Sequence, residues 1–129
     1  MGLFSRRRGD DVPVDPDARS PQLGVKYKDL MLLDQLMKLG SDLTQPRHVI
    51  HFSYAPSAVA QGSMAAEAQA RGFGVEAGQP LPEYPDDWPV RCEQTVALSP
   101  ELVRDNTDFF EELASRHGGV YDGWEAAAG

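Results

Sequence analysis

The chain is poor in the groups that most often carry chemistry. It holds one cysteine, Cys92, in 129 residues. That excludes an internal disulfide framework and a multi-cysteine metal site. No run of about 18 apolar residues occurs, which excludes a spanning helix. The opening Met1-Gly2-Leu3-Phe4-Ser5-Arg6 has no apolar secretory segment, and Arg6 stands where a myristoylation signal has Ser or Thr. The chain therefore reads as cytoplasmic. Gly72, Gly74 and Gly78 make no phosphate loop, because a helical pattern precedes them and a strand pattern follows, the reverse of that fingerprint. Positive charge is also scarce. Twelve Lys+Arg face twenty Asp+Glu, for a net charge of −8. Such a chain repels phosphate backbones and attracts basic partners, so the folded part is not expected to bind nucleic acid directly.

What is present fits one small α+β domain. Residues 1–26 mix Arg6, Arg7, Arg8, Arg19 and Lys26 with four aspartates and three prolines. They read as a disordered charged tail, since they offer little apolar surface to offset ordering entropy. Residues 27–126 carry the domain. Leu30, Leu33, Leu36, Met37 and neighbouring leucines, spaced by three and four, predict an amphipathic helix from Tyr27 to Leu39, stopped by Gly40. Arg47 to Tyr54 alternates as a strand, with Ile50, Phe52 and Tyr54 on one side and Val49, His51 and Ser53 on the other. Ser57 caps an Ala-rich helix reaching about Arg71, with Val59, Ser63, Ala66 and Ala70 as its expected buried stripe.

Phe73 to Ala77 is a short strand, and the Pro-rich stretch 78–87 is a loop. Trp88 to Leu98 is a strand with Trp88, Val90 and Cys92 inward. Ser99-Pro100-Glu101 starts a helix by cap, ring and charge. Its expected stripe is Leu102, Asn106, Phe109, Phe110 and Leu113, and Gly118-Gly119 closes it. Val120 to Ala126 is the last strand. The order β-α-β-β-α-β after the leading helix predicts a ferredoxin-like sandwich. The leading helix must then cover the other face of the sheet or pair with its twin in a homodimer.

Candidate catalytic groups do not assemble. His48 and His51 lie on opposite sides of a strand and cannot share an ion. His117 suits a helix C-terminus for electrostatic reasons. Cys92 reads as a buried inert thiol. Asp42, Asp122 and Glu125 have no catalytic partner at a defined spacing. No metal, no cofactor and no enzyme activity are expected. Two features stand out as candidate partner-binding elements. One is the acidic strip Glu101, Asp105, Asp108 and Glu112, whose spacings place all four on one helix face. That face is either simply solvated or a docking surface for a basic partner. The other is Tyr121-Asp122-Gly123-Trp124. Either Trp124 packs under the leading helix while Asp122-Gly123 makes a bulge, or Asp122 and Trp124 belong to a binding edge.

Three stretches carry a family resemblance. They are Gly40-Ser41-Asp42-Leu43-Thr44-Gln45-Pro46-Arg47, His51-Phe52-Ser53-Tyr54-Ala55-Pro56-Ser57, and His117-Gly118-Gly119-Val120-Tyr121-Asp122-Gly123-Trp124-Glu125. Across roughly residues 28–126 the chain resembles the domain called regulator of ribonuclease E activity B. The resemblance implies a bacterial, non-catalytic ribonuclease inhibitor of ferredoxin-like fold. It would bind ribonuclease E, lower its endonucleolytic activity and alter the RNA-degrading complex. It also implies a target with basic, disordered RNA-binding segments. The alternative from the residues alone is a small-molecule-binding or dimeric enzyme domain, with a pocket lined by His51, Tyr54 or Cys92.

Overall fold

A computed structural model describes residues 15–127. Its elements are α1 (Tyr27–Lys38), β1 (Arg47–Ala55), α2 (Ala58–Ala70), β2 (Gly74–Ala77), β3 (Trp88–Val96), α3 (Pro100–Arg116) and β4 (Val120–Ala126). The strands form one sheet in the order β2-β3-β1-β4, and every neighbouring pair is antiparallel. With α2 and α3 as the crossovers, this is the interleaved double βαβ arrangement expected from the element order. The caps form as the sequence implies. Ser57 Oγ accepts from the Ala60 N–H, and Ser99 Oγ accepts from the Leu102 N–H. Gly119 tolerates no side chain, because a Cβ there would sit 2.3 Å from the Tyr54 carbonyl oxygen.

One face of the sheet carries all three helices. Val49, His51, Ser53 and Ala55 of β1 point to it, opposite Gln94, Cys92, Val90 and Trp88 of β3. Two clusters fill the layer. Ala55, Met64, Ala68, Phe73, Val90, Cys92, Phe110, Leu113 and Ala114 form one, under α2 and α3. Val25, Leu33, Leu36, Val49, Leu98 and Val103 form the other, under α1. The leading helix therefore does not cover the second face of the sheet, as one expectation had it. It lies beside α3 because Trp124 of β4, on the helix side of the sheet, packs beneath it and donates its indole N–H to Asp29 at 2.8 Å.

Two expected stripes are corrected. Helix α2 buries Gln61, Met64 and Ala68, whereas Val59 is 82% exposed and Ser63, Ala66 and Ala70 face water. The alanines left no contrast between faces. A tertiary contact decided the rotation: the Gln61 amide donates to the Gly78 and Pro89 carbonyls, both at 2.8 Å. Helix α3 buries Val103, Thr107 and Ala114 along with Asn106, Phe110 and Leu113, while Leu102 and Phe109 stay half-exposed.

The expected tail is corrected in its second half. Residues 1–14 lie outside the described residues. Residues 15–26 hold a fixed course: the Ser20 N–H donates to the Val25 carbonyl, the Tyr27 N–H donates to the Ala18 carbonyl, and Val25 is fully buried. One apolar side chain delivered into a core gap, plus ion pairs to α3, orders a stretch whose composition alone argues for disorder.

Candidate functional site

The other face of the sheet carries no helix among the described residues. Its centre is apolar, with Ile50 buried and Phe52 and Tyr54 part-exposed. Ile50, Phe52 and Tyr54 of β1 line up along it, flanked across the β1/β3 ladder by Glu93, Arg91 and Pro89. Glu76 of β2 stands opposite Arg91 and pairs with it at 3.0 Å. His48 Nε2 meets Glu93 Oε1 at 2.6 Å. Glu125 of β4 stands opposite Ile50. At the Tyr54 end, the 78–87 loop adds Leu81 and Tyr84, which are 63% and 61% exposed. Together with Tyr54, Gln79, Asp87 and Pro89 they enclose a cavity of about 410 Å³. A second depression, about 250 Å³, lies further along β1 between His48, Ile50, Glu125, Ala126 and Ala127.

The charge on this face is one-sided. Glu76, Glu93 and Glu125 lie on the strands, and Glu83, Asp86 and Asp87 in the loop, against Arg91 as the one Lys or Arg of β2, the loop and β3. The acidic strip on α3 is different. Glu101, Asp105, Asp108 and Glu112 do share an exposed helix face. However, Arg19 binds Asp108 at 2.5 Å, Lys26 binds Glu111, and Arg104 binds Asp105 at 3.1 Å. The segment 15–26 thus brings cations to the strip and leaves Glu101 and Glu112 outside those pairs. Acid is spread in sequence over both the 78–87 loop and α3, and the helical spacing makes the α3 strip the candidate docking face. Glu76 and Glu93 of the open face are likewise matched, by Arg91 and His48, so the acids outside these pairs are Glu101 and Glu112 on α3, Glu125 on β4 and Glu83, Asp86 and Asp87 in the loop.

The other candidate residues are separated. Asp122 is exposed at the β4 bulge, where the register with β1 slips between Phe52 and Ser53 and Gly123 takes φ +107°. Trp124 is half-buried beneath α1, so the structure does not join it to the acids of α3. The pocket required by the small-molecule alternative is not assembled from its three residues, since Tyr54 alone lines a cavity. His51 and Cys92 lie on the helix side of the sheet, each 2% exposed or less.

That buried side contains a small polar arrangement of its own. His51 stacks on Phe110 with ring centroids 4.4 Å apart, and its Nδ1 shares a 2.8 Å hydrogen bond with the Tyr121 hydroxyl. Burial lowers the His51 pKa from 6.5 to about 4. It raises the Cys92 thiol from 9.0 to about 12 and moves Tyr121 upward as well. These shifts favour neutral groups. They make His51 a core residue and Cys92 an unreactive thiol. Among the described residues no group of three or more His, Cys, Asp or Glu is arranged to hold a metal ion, and no helix is long and apolar enough to cross a membrane.

Sequence reasoning missed Leu81, Tyr84 and Pro89 as surface elements. The available signal was a pair of large apolar residues inside a Pro-rich loop, together with a strand apolar on the side that carries Ile50, Phe52 and Tyr54. Compared with known families, residues 28–126 match the one described as Regulator of ribonuclease activity B. No match was found among curated proteins.

Proposed function

The chain belongs to the regulator of ribonuclease activity B family, and on that premise we propose that it binds ribonuclease E in the cytoplasm and lowers its endonucleolytic activity without catalysing a reaction itself. The family match, which runs from the second residue of α1 to the last residue of β4, carries this reading. The net charge of −8 supplies a physical route. An acidic domain competes with RNA for basic segments of the enzyme, because both present dense negative charge to the same cations. On this reading the contact weakens as salt screens it.

The test is calorimetry of the full chain with ribonuclease E from the same host, at low and moderate salt, with RNA cleavage assayed in parallel. Binding with slower cleavage is the expected result. Absence of binding at both salt concentrations, with cleavage unchanged, sinks the reading. Binding that ignores salt keeps the inhibitor but removes competition for basic segments as its mechanism.

A further inference from the structure

We propose that the open face of the sheet is the docking surface, and that its occupant is an extended basic protein segment carrying one large apolar side chain. For the partner's identity the proposal rests on the preceding reading; for the site it rests on four observations.

First, β1 leaves two aromatic side chains, Phe52 and Tyr54, part-exposed on this face, next to a buried Ile50. Ile50, Phe52 and Tyr54 form a row that none of the three helices covers. Part-exposed aromatic side chains inside a polar rim are typical of protein contact sites. Second, the row ends in a cavity of about 410 Å³ walled by Tyr54, Leu81, Tyr84 and Pro89. The exposed Tyr84 and the part-exposed Tyr54 around this concave site are the kind of residue on which binding energy concentrates. Third, a second depression lies beside Ile50 and Glu125 on the same strand. Tyr54 and Ile50 are four residues apart, or about 13 Å along a strand. Two sites at that spacing suit an extended chain better than one compact small molecule. Fourth, the surroundings are acidic: Glu93 and Glu125 flank Ile50, and Asp87 lines the cavity.

Charge complementarity selects the occupant. A second copy of this chain would bring the same acids face to face, and RNA would bring phosphates against them; both arrangements are repulsive. A segment with an aliphatic or aromatic side chain in the Tyr54–Tyr84 cavity would place an Arg or Lys several residues along, beside Glu93 and Glu125. On the α3 strip Arg19 and Arg104 already pair with Asp108 and Asp105, and the strip offers charge without the aromatic cavity of the open face.

The experiment uses the full chain and two probes. One is a synthetic peptide of arginines and glycines with a single tryptophan, and a control peptide has glutamate in place of each arginine. The other is the host's ribonuclease E. Binding of the peptide is followed by NMR shift mapping. It is expected to move the resonances of Phe52, Tyr54 and Tyr84, while the acidic control moves none. Tyr84→Ala combined with Glu125→Lys alters two exposed positions, so the fold is retained, as a dispersed spectrum verifies. The pair is expected to weaken the peptide and ribonuclease E at least about tenfold. Glu101→Lys combined with Glu112→Lys, on α3, is expected to leave affinity within about threefold. No peptide binding, shifts confined to α3, or a folded open-face variant with wild-type affinity overturns the proposal. Peptide binding at the open face without any ribonuclease E binding upholds the site and defeats the family-based reading of its partner. Ribonuclease E binding that the open-face variant leaves intact does the reverse.

Discussion

The two faces of one strand differ in what they bury. On the helix-covered side, β1 presents His51 and Ser53 between Val49 and Ala55, and all four are buried. On the open side it presents Ile50, which is buried, and Phe52 and Tyr54, which are part-exposed. Two polar groups are fully buried on the covered side, while two aromatics remain part-exposed on the open one. On the inner side Phe110 stacks on the imidazole and Tyr121 satisfies one of its nitrogens, while the other nitrogen and the Ser53 hydroxyl have no hydrogen-bond partner among the described residues. The outer side has no such internal explanation. The apolar surface that Phe52, Tyr54, Leu81 and Tyr84 leave in water gains nothing for the folded monomer, so its natural use is contact with something else. Stability and recognition are therefore separable in this domain, and variants on alternate residues should distinguish them.

The largest expected effect is on the covered side. Phe110→Ala removes the ring that holds His51 and leaves a void between α3 and the sheet. It should cost about 3–5 kcal/mol in urea unfolding. A loss below about 1 kcal/mol would mean that the two faces do not differ as described.

Acid comes next. The folded pKa of His51 lies at about 4, below its unfolded value of 6.5. The unfolded chain thus binds the proton more tightly, and stability rises with pH across that window. The contribution is fully present above pH 6.5 and is lost as pH falls through 4. Its size is on the order of 3 kcal/mol. Denaturant midpoints measured between these limits should show the slope in the wild type. They should show a flatter curve in His51→Gln, whatever the lower stability of that variant.

A smaller effect separates the two readings of Trp124. Trp124→Phe removes the N–H that bonds the buried Asp29 carboxylate. It should destabilise by about 1–3 kcal/mol and leave partner affinity nearly unchanged. Lost affinity at full stability would instead return Trp124 to the binding surface. Smallest of all, Tyr84→Ala on the open side should shift unfolding by no more than about 0.5 kcal/mol. If Tyr84→Ala unfolds the domain, the loop is part of the core and the distinction between faces fails.

Much of the fold was legible because it is written locally. The Ser57 and Ser99 caps, Pro100 at a first turn, the leucine spacing of α1 and the alternation of β1 each depend on neighbours within a few residues. Element order then restricted the topology to one familiar arrangement. The bulge at Asp122-Gly123 was legible for the same reason, since glycine tolerates the positive φ that a bulge requires. The acids of α3 were correctly placed on one face, but their ion pairs were not visible, because Arg19 and Lys26 are more than eighty residues away in sequence.

The sequence by itself therefore determined the elements, their order, the solvent position of the four acids and the burial of Cys92. Each follows from local geometry or from the cost of wetting apolar groups. Only the tertiary structure decided the rotation of the Ala-rich helix, the place of α1, the order in residues 15–26 and which side of β1 stays open. Periodicity shows that a strand has two faces. Which face is covered depends on where Trp124, Val25 and the helices meet from distant parts of the chain, and no local pattern encodes that meeting.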